Sequence, residues 1–549
     1  MSALFPTLHP RPPRFWLVLV VLIVSAWCLL VPSNMVPGTF PGDVSLPYAP
    51  VTLNYHWQTH TRGVEGVLAD DLHGLPYRTD RSVVDGIPVD ALVSWPFCAA
   101  FGFAGGMWVY SLVLVWALGA SGAWLGGRWW GTWSGALVTG VGFQVCEGVL
   151  REMGEGRSTQ AFAAIFLPLA LGLGVLAAEG GVLAGGMAGV CAAIATLSSW
   201  DFALFAVPLA LGPAVVQRRW AGGGTVVTAF AILVFPVAAW VWSGLPEMPS
   251  AGLDPWAPAR LGAALVRPVD LAAARIYGTD GVALGTVLRP VLVALAAYGI
   301  WLRRAEPGAL RTWGWPLALA SGGVILGLGA WLPGPVVMPW GWLSLLPGVS
   351  RLWWADRAWM VPGLILALAA GSARLPVMAT LLAAGLFVEE AVLLSPALPF
   401  GAVGLLTPDS AMRLAVAPNV PLLLLPLGQG RFRTDRLDLV EQISHGRPMA
   451  NGTRSPFDAT APHALARGWR ENAGLHAVGE CEQGVAGAVV PPDAATTSGL
   501  VHAGIREVWL DLRYLGEGAA GATYRACIEN VLDGWTTEDD APFVRFRAP

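Results

Sequence analysis

One carboxylate, Asp43, stands where the chain first leaves an apolar run. Residues 15–32 read FWLVLVVLIVSAWCLLVP, and Phe40-Pro41-Gly42-Asp43-Val44 follows. A carboxylate in a polar loop at the mouth of a membrane span can take a proton from a hydroxyl held at the surface. Pro-Gly-Asp is equally ordinary turn chemistry, so both readings stand at this point. The same loop carries the adjacent pair Asp70 and Asp71, and a later short segment gathers Glu147, Arg151, Glu152, Glu155 and Arg157. Paired loop acids are commonly just solvated. Neither CxxC nor HExxH occurs, and the eight His have no metal-ligand spacing. His56 and His60, four apart, read as surface residues.

The elements that must position these groups are set by composition. The chain of 549 residues is 55% hydrophobic and 13% charged, with 27 Trp, 67 Gly and a mean hydropathy of +0.57. Soluble domains carry roughly 25% charged residues, so most of this chain belongs in lipid. The net charge of −4 says nothing about nucleic acid, and no basic patch has the density that a nucleic-acid partner would require. All 33 basic residues are Arg, a composition that fits a GC-rich bacterial genome.

Apolar runs long enough to cross a bilayer recur through residue 394, and about eleven spans fit them, 15–32, 107–126 and 131–147 among these. With the N-terminus cytoplasmic, Arg11 and Arg14, Arg128, Arg218 and Arg219, Arg303 and Arg304, Arg311 and Arg374 all fall on the inner side, the positive-inside pattern. Outer loops then cover 33–106, 147–159, 244–282 and 333–356. The first ends in a half-apolar segment, Ile87 to Ala104, that lies in the interface or re-enters. The third holds an expected interfacial helix from Ala259 to Ile276, and the fourth is rich in Trp, as an aromatic belt is.

The expected fold is an all-α polytopic membrane bundle, residues 1–394, followed by a small exported α/β domain, residues 395–549. In the tail, Ala411–Leu425 ends in a strand-like run, a helix lies around His463–Arg470, and Val501–Leu512 passes from helix to strand. Cys28, Cys98, Cys146 and Cys191 lie in or beside apolar segments. Cys481 and Cys527 are the remaining pair, both in the exported tail, where an oxidising compartment favours a bridge.

The order of elements resembles the GT-C integral-membrane glycosyltransferases and, among them, bacterial YfhO-like membrane proteins. The likeness rests on Gly42-Asp43 with Tyr48 and Pro50, Gly74-Leu75-Pro76-Tyr77, and Asp85-Gly86-Ile87-Pro88. It continues in Glu155-Gly156-Arg157 ahead of Phe166-Leu167-Pro168-Leu169, then Trp354-Ala355-Asp356-Arg357. In the tail it covers His445-Gly446-Arg447-Pro448, Asn451-Gly452 and Gly504-Ile505-Arg506-Glu507-Val508. It spans nearly the whole chain as a pattern of placement.

The resemblance implies transfer of a sugar from a polyprenyl-phosphate donor to a glycan, lipid or protein acceptor on the outer face of a bacterial cytoplasmic membrane. Asp43 would be the base, a single displacement would invert the anomeric centre, and Arg157, Arg351 or Arg357 would bind the lipid phosphate, whose oxygens a guanidinium fork fits. An Arg at a span end also anchors to headgroups. The family often carries a second acid, for which Glu147, Glu152, Glu155, Asp70 and Asp71 would be the candidates, or a metal-binding Asp-x-Asp; no Asp-x-Asp lies near Asp43. A divalent metal therefore stays an open question, and no other cofactor is called for. Two other readings compete: a non-catalytic scaffold for cell-envelope polymers, and a transporter or flippase, which would show internal repeats and intramembrane charges.

Cysteine labelling checks the topology. A cysteine placed at Asn451 should react from outside intact cells, and cysteines at Arg128 or Arg303 only after permeabilisation; labelling of position 451 from the cytoplasm alone would refute the orientation.

Overall fold

The computed structural model describes residues 8–10, 12, 15–30, 39–42, 48–70, 79–80, 89–244, 275–276, 282–283, 289–304, 309–327, 331–332, 336–337, 355–395, 398, 400, 402–404, 421–427, 442, 449–450, 463–483, 494–515, 518–540 and 543–549. The chain forms two compact units. One comprises residues 1–43, 86–239 and 253–403, the other residues 44–85, 240–252 and 404–549. Residues 44–85, expected as part of a membrane domain, thus group with the C-terminal region.

The first unit is helical. Val89–Trp130, Ser158–Ala178, Trp220–Ser243 and Val377–Leu394 are long and apolar enough to cross a membrane, and shorter apolar helices such as Phe15–Leu30 and Val182–Ser198 accompany them. Phe15–Leu30 shows why lipid must surround this unit. Val18, Leu22, Ala26 and Leu29, spaced at helical intervals, are buried, while Trp16, Val20, Val24 and Trp27 on the opposite side are exposed. A helix apolar all round, with one face uncovered, needs a hydrocarbon solvent.

One expected span changes. The run 131–147 becomes a helix of 12 residues, Trp133–Gln144, buried along nearly its whole length. At about 18 Å it cannot cross a hydrocarbon core of about 30 Å. Glycines let neighbours close around it: a Cβ on Gly140 would lie 2.8 Å from Ala123 Cβ and Gly119 O. Gln144 at its end donates to Leu22 O (3.3 Å) and Val115 O (3.1 Å), tying it to two other helices.

Of the segment 87–104, residues 89–104 belong to a helix, Val89–Trp130, that breaks at Gly102 with φ 72° and ψ 165°. Its two arms fold against each other. Twenty residues of straight helix would separate Asp90 from Tyr110 by about 30 Å, yet the Tyr110 hydroxyl donates to Asp90 Oδ2 at 3.3 Å. Gly106 is the contact point, where a Cβ would overlap backbone atoms of Phe97 and Cys98.

Helices then alternate between two ends of the unit. At one end His9 N donates to Arg128 O (2.7 Å), the Arg303 guanidinium lies 4.4 Å from the Trp130 ring centre, and Trp130 Nε1 donates to Leu368 O (2.8 Å). Pro290–Arg303 and Met360–Gly371 run to that end from Arg289 and Arg357, and Val377–Leu394 runs back. Arg289, Arg357 and Glu390 therefore lie toward the other end.

The expected interfacial helix over 259–276 lies largely outside the described residues; its last two, Arg275–Ile276, pair as a strand with Val282–Ala283.

The second unit holds a four-stranded sheet in the order Thr536–Asp540, Phe543–Arg547, Glu507–Asp511, Leu422–Leu425. Leu422–Leu425 pairs parallel with Glu507–Asp511, the other two neighbours antiparallel. Alternation splits the leucines: Leu423 and Leu425 join a core with Trp469, Val508, Ile528 and Phe546, and Leu422 and Leu424 pack with Trp509 and Phe543 on the opposite face. Cys481 and Cys527 form a disulfide between helices Ala473–Gln483 and Ala519–Val531, with Cα atoms 5.8 Å apart. Helix Tyr48–Arg62 belongs to this unit. Its Asn54 donates to Gln442 Oε1 and accepts from Gln58, both at 2.8 Å. His56 on this helix is buried, contrary to the surface reading, because the helix is packed rather than solvated.

Gly106→Ala should lower the melting temperature of the detergent-purified protein, since overpacking at backbone costs about 1–3 kcal/mol. Gly105→Ala, whose Cβ would find its nearest atom at 3.4 Å, should leave it unchanged. Equal behaviour of the two variants would argue against the folded-back helix.

Candidate functional site

The charged segment after Trp133–Gln144 folds as one short helix, Glu147–Gly154, and a cap that aims the next helix. Gly156 supplies the left-handed residue that ends it, with φ 78°. Its N–H donates to Met153 O (3.0 Å), and the Arg157 N–H donates to Glu152 O (2.7 Å). Both bonds are those of a Schellman cap. Glu155-Gly156-Arg157 is thus a local device that turns Arg157 back over Glu152 and starts Ser158–Ala178.

Asp90 fixes that start. It is wholly buried and accepts from Ser158 Oγ (2.8 Å) and Thr159 Oγ1 (2.9 Å) as well as from Tyr110.

Around this helix lies a buried ion-pair cluster. Arg357, in the turn Ala355–Trp359, donates from Nε to Glu152 Oε1 at 2.9 Å and from Nη1 to Ser199 Oγ at 3.1 Å; the same Nη1 pairs with Asp201 Oδ2. Asp201 sits in the turn Trp200–Phe202. Arg157 approaches Glu152 Oε2 at 3.6 Å and Glu155 Oε2 at 2.6 Å, and Arg151 Nε donates to Glu155 Oε1 at 2.7 Å. Among the described residues the cluster gathers three guanidinium groups and three carboxylates. Burial pushes the Glu155 carboxyl above the usual carboxylate range; Arg157 and Arg151 oppose that rise, and Glu152 adds to it.

A separate pair occupies the start of the same helix. Arg289 Nη2 donates to Glu147 Oε2 at 2.6 Å, both side chains being 1% exposed. Arg289 Nη1 reaches Glu390 O (3.3 Å), and Val291 N donates to Glu390 Oε1 (3.2 Å). Arg289 adopts φ 26°, a region non-glycine residues seldom enter, so the backbone is strained where the guanidinium is buried. Burial pushes the Glu147 carboxyl up and Arg289 opposes it.

Of the residues singled out in the sequence, Glu152, Glu155, Arg157 and Arg357 are brought together. Glu147 lies on the same short helix but pairs with Arg289. Asp43, Asp71 and Arg351 lie outside the described residues. Of Asp70 the backbone is described, in a strand opposite Thr79; its side chain is not. The strand before Asp43, Thr39–Pro41, packs against Val89–Trp130.

Asp90, Asp201, Arg289 and Glu390 were missed. Each interrupts or borders an apolar run, a signal of function or pairing in membrane segments. Among the described residues no group of three or more His, Cys, Asp or Glu could hold a metal ion, and each carboxylate of the cluster faces a guanidinium. This arrangement does not fit a divalent cation.

Fold and site define a membrane protein whose apolar helices carry a buried charged cluster at one end. The sequence matches no family model and no curated protein. Among solved structures, the chain is similar to the archaeal oligosaccharyltransferase AglB from Archaeoglobus fulgidus in complex with an inhibitory peptide and a dolichol-phosphate. That likeness has 11% identity and a TM-score of 0.46, and covers 98% of this chain and 74% of that one. It is also similar to ArnT from Cupriavidus metallidurans bound to undecaprenyl phosphate, at 14% identity and a TM-score of 0.44, covering 97% of each chain. At TM-scores below 0.5 these are likenesses only, and the reaction has to be argued from the chain's own side chains.

Arg357→Ala should destabilise the protein by about 3–5 kcal/mol, because it strands the buried charges of Glu152 and Asp201. Adding Glu152→Gln and Asp201→Asn in the same chain should recover part of the loss. Thermal unfolding in detergent reads both, and an Arg357→Ala protein as stable as wild type would mean the cluster is not buried.

Proposed function

We propose that this chain is a GT-C-type membrane glycosyltransferase that moves a sugar from a polyprenyl-phosphate donor to an acceptor on the outer face of a bacterial cytoplasmic membrane. The observation that carries the reading is the gathering of Arg157 and Arg357 with Glu152 and Asp201 at one end of an apolar helical unit, away from Arg128 and Arg303. Positive-inside orientation puts the end with Arg128 and Arg303 in the cytoplasm and the cluster outside.

In this reading Asp43 is the base, on the strength of its place after the first span and of the sequence resemblance. It takes the acceptor hydroxyl's proton as that oxygen attacks the anomeric carbon, and the lipid phosphate leaves toward Arg157 and Arg357. A departing phosphate gains charge, and fixed guanidinium groups stabilise that charge most where water is excluded. Glu152, between the two arginines, holds both forks in place before substrate arrives. Glu147, paired to Arg289, has a structural part in fixing the helix. Residues 404–549, with the disulfide Cys481–Cys527, form an exported domain that presents or binds the acceptor.

A second reading is favoured by one feature: every guanidinium of the cluster already faces a carboxylate of the chain. A GT-C scaffold that has lost the chemistry would tolerate such closure.

Transfer decides between them. Membranes containing the protein should move label from a polyprenyl-phosphate sugar to an endogenous acceptor, and Asp43→Asn should cut the rate by about 10²–10⁴-fold at unchanged protein level. Wild-type membranes inactive with every labelled donor would leave the scaffold; an active Asp43→Asn protein would move the base elsewhere.

A further inference from the structure

The turn that joins helices Ala203–Val216 and Trp220–Gly244 departs from a rule kept at other helix ends. Those ends place Gly131, Gly156, Gly180 and Gly504 at positive φ, the conformation in which a chain readily leaves a helix. Here Arg218 takes that place, with φ 57°. Its N–H donates to Val215 O (3.0 Å) and the Arg219 N–H to Ala214 O (2.8 Å). The end is therefore a Schellman cap with arginine in the left-handed position. A side chain there crowds its own backbone, and residues other than glycine seldom adopt it. In a chain with 67 Gly, strain at this position points to a role for the arginine side chain.

The surroundings say what the role is. Arg218 and Arg219 are both exposed, and neither forms an ion pair among the described residues. A carboxylate is close at hand. A Cβ on Gly222, three residues after Arg219, would touch Ala177 O, two residues before the exposed Glu179; yet Glu179 too forms no ion pair among the described residues. Gln217 adds a donor, since its buried Nε2 has no hydrogen-bond partner among the described residues. Lipid reaches the turn as well. Trp220 is 70% exposed and Val215 43%, and Val227, Ile232 and Phe235 along the second helix are exposed too. That helix runs at the perimeter with an apolar face in hydrocarbon, and a Trp at a span end marks the level of the headgroups.

We propose that Arg218 and Arg219 hold the phosphate of an anionic phospholipid whose acyl chains lie along the exposed face of helix Trp220–Gly244. A guanidinium fork matches phosphate oxygens in pairs. Two adjacent forks at the membrane surface favour a headgroup of net negative charge over a zwitterionic one, because each cation there adds to the attraction. A helix C-terminus alone favours a nearby cation, but an arginine one turn earlier would supply it without a strained backbone. The site is separate from the transfer chemistry. Asp201, a member of the Glu152–Arg357 cluster, lies just before Ala203–Val216, and the 14 residues of that helix put the turn about 21 Å away. Lipid binding here neither needs nor tests the proposed reaction.

Native mass spectrometry of the full-length protein in detergent reads the binding, with palmitoyl-oleoyl phosphatidylglycerol as probe and phosphatidylcholine of the same chains as control. Wild type should bind phosphatidylglycerol more tightly. Arg218→Gly and Arg219→Gln should each weaken that binding by about fivefold and leave phosphatidylcholine binding unchanged. Arg218→Gly should also melt higher in lipid-free detergent, because glycine relieves the left-handed cap. A more stable protein with weaker lipid binding is the combination that separates a ligand-holding arginine from one that serves the cap. Arg219 lies outside the left-handed region, so Arg219→Gln keeps the test open should Arg218→Gly misfold.

Equal affinity for the two lipids would overturn the site, and so would variants that bind phosphatidylglycerol as wild type does. Glycerol phosphate that displaces the lipid at matching concentration would overturn the lipid assignment, since the turn would then take any phosphate.

Discussion

The arginine at position 357 is the constraint on which the membrane unit depends. Its guanidinium joins Glu152 and Asp201, so one buried cation fastens three segments that are far apart in sequence: the Glu147–Gly154 helix and the two turns at 200–202 and 355–359. In a body this apolar, a lone charge is prohibitive and a paired one tolerable only with good geometry. Each member therefore depends on the others, and the short helix is held in a position its own eight residues could not maintain. Arg157 and Arg151 extend the network through Glu155, and Arg289 anchors the helix start to Glu147.

Everything around this network serves to bring helix ends together. Asp90 caps the beginning of Ser158–Ala178 from the folded-back arm of Val89–Trp130, which exists because Gly102 takes a conformation closed to other residues and Gly106 offers no side chain. The same economy of side chains recurs where helices touch. A Cβ on Gly142 would meet Leu292 and Ala367, and one on Gly323 would meet Pro362. Between helices in lipid the hydrophobic effect contributes little, so close backbone approach through small residues supplies the packing. A chain with 67 Gly has the means.

The second unit follows soluble rules. Its sheet is covered on both faces, which explains why Leu422–Leu425 is an unbroken apolar run rather than an alternating one. The disulfide closes a loop of 46 positions, a constraint on the unfolded chain that a unit of this kind can use in an oxidising compartment. Helix Tyr48–Arg62 joins this unit through amides, Asn54 to Gln442 and Gln58 to Asn54. Such bonds leave little trace in a hydropathy pattern.

By itself the sequence determined the class: apolar runs, their basic turns, a polar tail with a strand-like run ending at Leu425 and two cysteines of its own. These are legible because hydropathy, charge bias and residue type act locally or in bulk, and a span announces itself within its own residues. It also marked Glu152, Glu155, Arg157 and Arg357 as charges that a membrane protein must place somewhere. What only the tertiary structure decided is which charges meet. Arg357 finds Glu152 and Asp201, Glu147 turns instead to Arg289, the run 131–147 is too short a helix to span, and His56 is inside. Pairing is a property of distance in space, and residues 205 positions apart share no local pattern. Asp90, Asp201, Arg289 and Glu390 look, one at a time, like span-end charges, and become a network only when the helices bring them to one end.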